Sequence, residues 1–292
     1  MKTSLLNIVL IIILILIGIP CKTYSQDFQQ ENYEVYYPLN KNPTAICMVI
    51  HGLNLKPSKM DWICNQIIDQ GAIVINIELW GHGNNPINCT DSFNIEKKMD
   101  QFKNVTWEQW IQDTKPALDY IDLINKDKNL PKYLFGYSLG GLVGASIENE
   151  FDYNFDKYFL FAPALEIKFL PNILIRLSGL FPKMVIASRA PELYRDNIGT
   201  PIAAYKALFY GIKRFKKENQ NLNNCYIIVD KKDELVCSKK LKKLASINNY
   251  TINIIQRKKT DCTYCNCKHL IIDDNSLGSQ SDIVVKHIKS FF

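Results

Sequence analysis

Residues 136–140 read Gly-Tyr-Ser-Leu-Gly, entered by the apolar run Tyr133 to Phe135 and followed by a stretch able to form a helix. At a sharp strand-to-helix turn, a serine is pushed into a strained backbone conformation. Small residues on either side relieve the clashes, so the Ser138 hydroxyl stands out at the carboxyl end of the strand. The helix that begins there turns free N–H groups and the positive end of its dipole toward developing negative charge. That is a geometry for acyl transfer.

A serine hydroxyl is a weak nucleophile until a base takes its proton and a carboxylate orients that base. After Ser138 the chain offers two histidines, His269 and His287. His269 follows a cysteine-rich loop beyond the apolar run ending near Ile255, which brings it to the carboxyl edge of a sheet. His287 falls midway along the last helical segment, where packing or solvation is its role. His269 is therefore the expected general base and then general acid. The acid should come from the end of the preceding strand, where Cys-Tyr-Ile-Ile-Val is followed by Asp230, Asp233 and Glu234. Asp233 is best placed to reach over the edge, with Asp230 as runner-up. An oxyanion needs two N–H donors. The backbone of Leu139 supplies one. The turn His51-Gly52-Leu53, after the run Thr44 to Ile50, supplies the other through Leu53. His51 and His82 sit in strand-exit turns and read as structural hydrogen-bonders.

These side chains need a frame. The runs Thr44–Ile50, Ala72–Trp80, Lys157–Leu165, Cys225–Val229 and Tyr250–Ile255 read as buried strands, and Tyr33–Leu39 as an edge strand. Between them lie helical patterns. One has Met60, Ile63, Ile67 and Ile68 on its apolar side. A second runs from Thr106 to about Asn125, with Pro116 able to kink it. A third, at the end of the chain, carries Ile283, Val284, Ile288 and Phe291. Strands alternating with helices give an α/β fold with a mostly parallel, doubly wound sheet. Residues 166–223 break the rhythm with apolar helical patches and no clear strand, which suggests a helical cap inserted between core segments 26–165 and 224–292.

The chain has 292 residues, 47% of them apolar and 22% charged, enough for one large domain with a proper core. Residues 1–25 stand apart. Lys2, the apolar run Leu5–Ile19 and the small residues Thr23 and Ser25, three and one before a cut after Ser25, resemble a secretory signal peptide. The run is short for a membrane span, although an uncleaved N-terminal anchor is the alternative. Export would remove Lys2 and Lys22, leaving 33 basic against 29 acidic residues. That balance is mildly basic and diffuse, and no aromatic-interleaved basic stripe points to nucleic acid. Of the nine cysteines, all but Cys21 remain after such a cut, an even number that suits disulfides in an exported protein. Cys262, Cys265 and Cys267 have a metal-like spacing. No second cysteine pair or histidine pair completes a zinc set, so disulfide bonding is preferred and no metal is expected.

His-Gly-Leu at 51–53, Gly-His-Gly at 81–83, Gly-Tyr-Ser-Leu-Gly-Gly at 136–141, Asp233 with Val236, and His-Leu at 269–270 follow in that order. In this ordered set the chain resembles the α/β-hydrolase fold superfamily, and within it the bacterial esterases and the lysophospholipase or monoacylglycerol-lipase-like members. The resemblance runs from about Tyr33 to Phe292. It implies a serine nucleophile at Ser138, Asp233 and His269 beside it, Leu53 and Leu139 as oxyanion donors, no cofactor and an ester substrate. Asp230 departs from the pattern, since relatives often carry glycine there, and so does the cysteine-rich loop before His269. The expected activity is exported hydrolysis of carboxylic esters, acyl lipids or lysophospholipids above all, with an apolar cap able to touch a lipid surface. Acyl transfer on the same fold and a catalytically silent binding protein are the alternatives.

Overall fold

A strand that is apolar at every position has no face for water, so it must lie inside a sheet covered on both sides. The computed structural model describes residues 32–39, 42–85, 95–168, 183–188, 190–218 and 222–292. In chain order its strands are Tyr33–Tyr36 (β1), Ile46–Ile50 (β2), Ile73–Ile77 (β3), Lys132–Tyr137 (β4), Lys157–Phe161 (β5), Val185–Ala187 (β6), Gly199–Pro201 (β7), Cys225–Asp230 (β8) and Thr251–Ile255 (β9). β2 and β3 are buried at every position, and β4 and β5 at every position after the first. Each such Ile, Val or Phe side chain contributes roughly 1.5–3 kcal/mol by leaving water.

Seven strands form one sheet in the order β1-β3-β2-β4-β5-β8-β9. Only β1 runs antiparallel in it, pairing Tyr33 with Ile77 on β3. From β2 the chain steps outward to β3, then crosses back to place β4 on the other side of β2. The order thus reverses between β2 and β4. At such a switch point the loops leaving the carboxyl ends diverge and open a crevice. Ile50 pairs with Gly136 in this register, so the turn after β2 and the turn after β4 face each other across it.

The helices are Asp61–Ile68 (α1), Ile95–Phe102 (α2), Trp107–Gln112 (α3), Lys115–Asn125 (α4), Leu139–Phe151 (α5), Ile202–Glu218 (α6), Ser238–Ile247 (α7), Asp274–Leu277 (α8) and Ser281–Phe291 (α9). The single helix expected from Thr106 to Asn125 is two. Thr106 caps the first by accepting from the Gln109 N–H at 3.1 Å, and Pro116 falls in the first turn of the second. Proline has no N–H to continue a helix, but the first turn needs none. In α9, Val284, Ile288 and Phe291 are buried as expected, whereas Ile283 is exposed. Successive helical residues are separated by about 100°, so Ile283 is rotated off the stripe that its neighbour occupies.

The insertion also departs from its sequence pattern. β6 and β7 pair antiparallel as a ribbon of three residues each, too short for any periodicity to reveal. The 17-residue α6 lies against α5 and α3. Gly211 permits that approach: a Cβ there would sit 2.4 Å from the Trp107 ring. Among the described residues no helix is long and apolar enough to cross a membrane. The apolar run Leu5–Ile19, the remainder of residues 1–25, Cys89 and the apolar stretch at 169–182 lie outside the described residues.

Candidate active site

Ser138 occupies the turn between β4 and α5 with φ 51° and ψ −109°, a left-handed conformation that a residue with a Cβ adopts at a cost of about 1–3 kcal/mol. The surroundings hold it there. Its N–H donates to the Phe161 carbonyl at 2.9 Å, and its own carbonyl accepts from Ala164 N–H at 2.9 Å and Gly141 N–H at 3.1 Å. The glycine spacing has a direct steric reason. A Cβ on Gly136 would meet the Gly140 carbonyl oxygen at 2.7 Å, and one on Gly140 would meet the Ile50 carbonyl oxygen at 2.1 Å. Gly140→Ala should therefore cost about 1–3 kcal/mol through overpacking, a loss of roughly 2–12 °C in Tm for a chain of this size. Differential scanning calorimetry reads this directly, and an unchanged Tm would show that the elbow has room to spare.

The sequence-selected side chains meet. Ser138 Oγ lies 2.8 Å from His269 Nε2, and His269 Nδ1 lies 2.8 Å from Asp233 Oδ2. Asp233 is buried, and its other oxygen accepts from the N–H groups of Leu235 at 2.8 Å and Val236 at 2.7 Å. Burial disfavours charge on Asp233, but the facing imidazole and these hydrogen bonds outweigh it and hold the carboxyl below the usual range. Burial likewise opposes a charged His269 ring. The Asp233 carboxylate, together with that of Glu234, more than offsets it and raises the ring above its ordinary 6.5. With Asp233 ionised, Nδ1 carries the proton and Nε2 is left free to accept the hydroxyl proton of Ser138.

Gly52 packs directly beside Ser138: a Cβ there would lie 2.7 Å from the Tyr137 ring and 3.3 Å from Ser138 Cβ. Leu53 follows in a turn closed by Leu55 N–H donating to the Gly52 carbonyl at 3.2 Å. Two buried histidines build this turn. His51 Nε2 accepts from Leu79 N–H at 3.0 Å, so its protonated Nδ1 donates to the Gly52 carbonyl at 2.8 Å. His82 Nε2 accepts from Asn54 N–H at 2.9 Å, next to Leu53. Burial lowers both rings to about 3, so they stay neutral and act as fixed donor–acceptor struts. Leu139 opens α5, where the first N–H groups have no acceptor within the helix. The Leu53 and Leu139 backbones thus lie on the two turns flanking Ser138.

Asp230, the runner-up acid, does not reach His269. It is fully buried and holds Arg257 at 2.9 Å. His287 lies on α9 and bonds Asn253 at 2.8 Å, away from Ser138. Other contacts escaped sequence reasoning. Glu234 accepts the backbone N–H of His269 at 3.0 Å, and Tyr137 donates its hydroxyl to the His269 carbonyl at 3.2 Å. Asn54, with φ 54°, exchanges hydrogen bonds with Asn197 of the insertion, at 2.8 Å and 3.2 Å. An asparagine after a strand-exit turn was the only signal for that pair. Its partner is 143 residues away. Cys262 and Cys265 are bridged, whereas Cys47, Cys64, Cys225, Cys237 and Cys267 are free thiols. Among the described residues no group of His, Cys, Asp and Glu is arranged to hold a metal ion.

A buried strand-turn-helix serine, joined to an imidazole and a carboxylate at the switch point of a mostly parallel sheet, defines an α/β-hydrolase. The family model described as serine aminopeptidase, S33 (Hydrolase_4), matches residues 41–248, and the chain belongs to that family. Among solved structures it is similar to a soluble variant of monoglyceride lipase from Saccharomyces cerevisiae. The identity is 11% and the TM-score 0.69, over 91% of this chain and 92% of that one. It is also similar to a monoacylglycerol lipase from Paleococcus ferrophilus, at 16% identity and TM-score 0.62, over 90% of this chain and 100% of that one. Est1E from Butyrivibrio proteoclasticus, solved with ferulic acid, aligns at 17% identity and TM-score 0.58, over 89% of this chain and 93% of that one. Identities this low speak to the fold. No curated protein matches the chain by sequence.

Proposed function

We propose that this hydrolase cleaves carboxylic esters, with acyl lipids or lysophospholipids as the favoured class, through a covalent acyl-enzyme. Ser138 Oγ attacks the acyl carbonyl carbon while its proton passes to His269 Nε2. The N–H groups of Leu53 and Leu139 receive the resulting oxyanion, each such donor contributing about 3–4 kcal/mol in the transition state. Collapse breaks the ester C–O bond, and the leaving alkoxide takes the proton from Nε2. Water then attacks the acyl-enzyme, gives its proton to Nε2, and the acid departs as Ser138 Oγ is reprotonated. Asp233 keeps its charge throughout and holds the ring. No cofactor is needed.

The observation that carries this reading is the continuous line from Ser138 through His269 to Asp233, 2.8 Å at each step. The strongly apolar first half of the insertion at 166–223, taken as a cap, favours an acyl chain over a peptide, and so do the two lipases among the similar structures. The family description names an aminopeptidase, which sets the competing arm of the test. The N-terminal sequence supports export, and cap contact with a lipid surface would bring the site to its substrate.

A fluorophosphonate should label the protein, with the modified peptide containing Ser138. A chain-length series of p-nitrophenyl esters, run with and without detergent micelles, should turn over faster than aminoacyl p-nitroanilides. Preference for the anilides would overturn the ester assignment. A product that appears only with an added alcohol or lysolipid acceptor would favour acyl transfer.

A further inference from the structure

We propose that Arg257, held by Asp230, is a positioning residue that locks the loop carrying the base to the loop carrying its acid. The inference rests on reading His269 as that base. Arginine has five N–H donors in a rigid fork. Here all five have acceptors. Nε donates to Asp230 Oδ2 at 2.9 Å. Nη1 donates to the carbonyls of Leu270, at 2.7 Å, and Ser276. Nη2 donates to the carbonyls of Lys268 and, at 3.3 Å, Cys267. The carbonyls at 267 and 268 precede His269 and the one at 270 follows it, so a single guanidinium grips the main chain on both sides of the imidazole.

The other end of the clamp reaches the acid. Asp230 ends β8, and its second oxygen accepts from Lys232 N–H at 2.8 Å, which starts the turn leading to Asp233. Both Asp230 and Arg257 are buried, with side-chain exposures of 1% and 0%. Lys268 closes the arrangement by donating its ammonium to the Arg257 carbonyl. A buried ion pair gains little for stability over an apolar pair of the same shape, because desolvation offsets its attraction. What it supplies here is geometry. Two loops that leave neighbouring strands, residues 231–237 and 256–273, neither with a helix or sheet strand of its own, are tied to one rigid plane. A misplacement of about 1 Å in a reacting group costs about 100-fold in rate.

Arg257→Lys keeps the charge and removes the fork. In a folded enzyme it should lower kcat for p-nitrophenyl esters about 10- to 100-fold with KM within about 2-fold. A second variant, Asp230→Asn with Arg257→Gln, removes both charges and gives a readout that stability alone does not move. The carboxylates of Asp233 and Glu234 favour charge on His269 and the Arg257 guanidinium opposes it, the Tyr137 ring lies 5.4 Å away, and the Lys168 ammonium sits on the Asp233 carbonyl. Arg257 disfavours the charge on His269 and Asp230 is not among the groups that act on the ring, so deleting the pair should move the acid limb of kcat/KM to higher pH. Folded variants with wild-type kcat and an unmoved limb overturn the proposal. Loss of the fold in both overturns it too, by assigning the pair to stability alone. The wild-type control separates this from the function itself. An inactive, unlabelled wild type removes the hydrolase reading, whereas an active wild type beside fully active variants removes only the role of Arg257.

Discussion

Ser138→Ala should lower kcat toward p-nitrophenyl esters by about 10⁶-fold and abolish fluorophosphonate labelling, while leaving KM within a few-fold. The physical argument is local. The substitution deletes one oxygen, the atom 2.8 Å from His269 Nε2, and nothing else in the hydrogen-bonded frame of the elbow. The backbone bonds to Phe161, Ala164 and Gly141 do not involve that oxygen, so the turn and α5 stay in place. Alanine carries the same Cβ as serine, so the strain at φ 51° is unchanged. The Tm should therefore hold or rise slightly, as removing a polar atom buried for function often stabilises a fold. The N–H groups of Leu53 and Leu139 remain in the variant, and a residual rate about 10³- to 10⁴-fold above water is expected from them and from binding alone. Labelling that persists in a folded variant would take Ser138 out of the nucleophile role and the proposed mechanism with it.

The parts of the molecule that could be read from the sequence are those where one residue type has one physical use. β2 and β3 announced themselves because a strand covered on both faces has no reason to alternate. The glycines at 136 and 140 were legible because no side chain fits against the Gly140 and Ile50 carbonyls. His269 could be chosen over His287 because topology delivers loops, not helix interiors, to the carboxyl edge, and Asp233 over Asp230 because its place three residues past the strand end lets it reach over that edge. What escaped was set by tertiary contact. The acceptors of Arg257 are main-chain carbonyls, which every residue has, so no sequence pattern marks them. The Asn54–Asn197 pair joins the turn after β2 to the insertion through two amides that could have faced water. The ribbon of β6 and β7 is shorter than the period needed to see it. Ile283 is apolar, yet lies one residue off a stripe already filled by Val284, Ile288 and Phe291. The cysteines gave a count and a spacing, but no pairing. Of them, Cys262 and Cys265 are bridged, and Cys267 of the same motif is not.

Asp233→Asn should lower kcat by about 10⁴-fold, and the reason lies in which side of the carboxylate is already spoken for. Asp233 Oδ1 accepts two backbone N–H groups, from Leu235 at 2.8 Å and Val236 at 2.7 Å, while Oδ2 accepts from His269 Nδ1. An asparagine keeps one acceptor. Two fixed donors hold that oxygen toward Leu235 and Val236, because leaving both of them unpaired in a buried site would cost about 1–3 kcal/mol each. The amide N–H₂ group then faces the ring and donates to Nδ1. That fixes the opposite tautomer, with the proton on Nε2, where it can only donate to Ser138 and cannot take its proton. The pH profile should change as well. In the wild type, Asp233 and Glu234 together outweigh burial and raise His269 above 6.5, so kcat/KM falls as pH drops through that raised value. Without the carboxylate, burial and the Arg257 charge, both of which lower the ring, oppose only Glu234, and the acid limb should move to lower pH. A kcat/KM profile measured from about pH 5 to 9 spans the ordinary range of a histidine on both sides, and an NMR titration of the ring gives the shift independently. If Asp230 rather than Asp233 oriented His269, the Asp233→Asn enzyme would keep both its rate and its limb, and the assignment of the acid would pass to the residue that here holds Arg257.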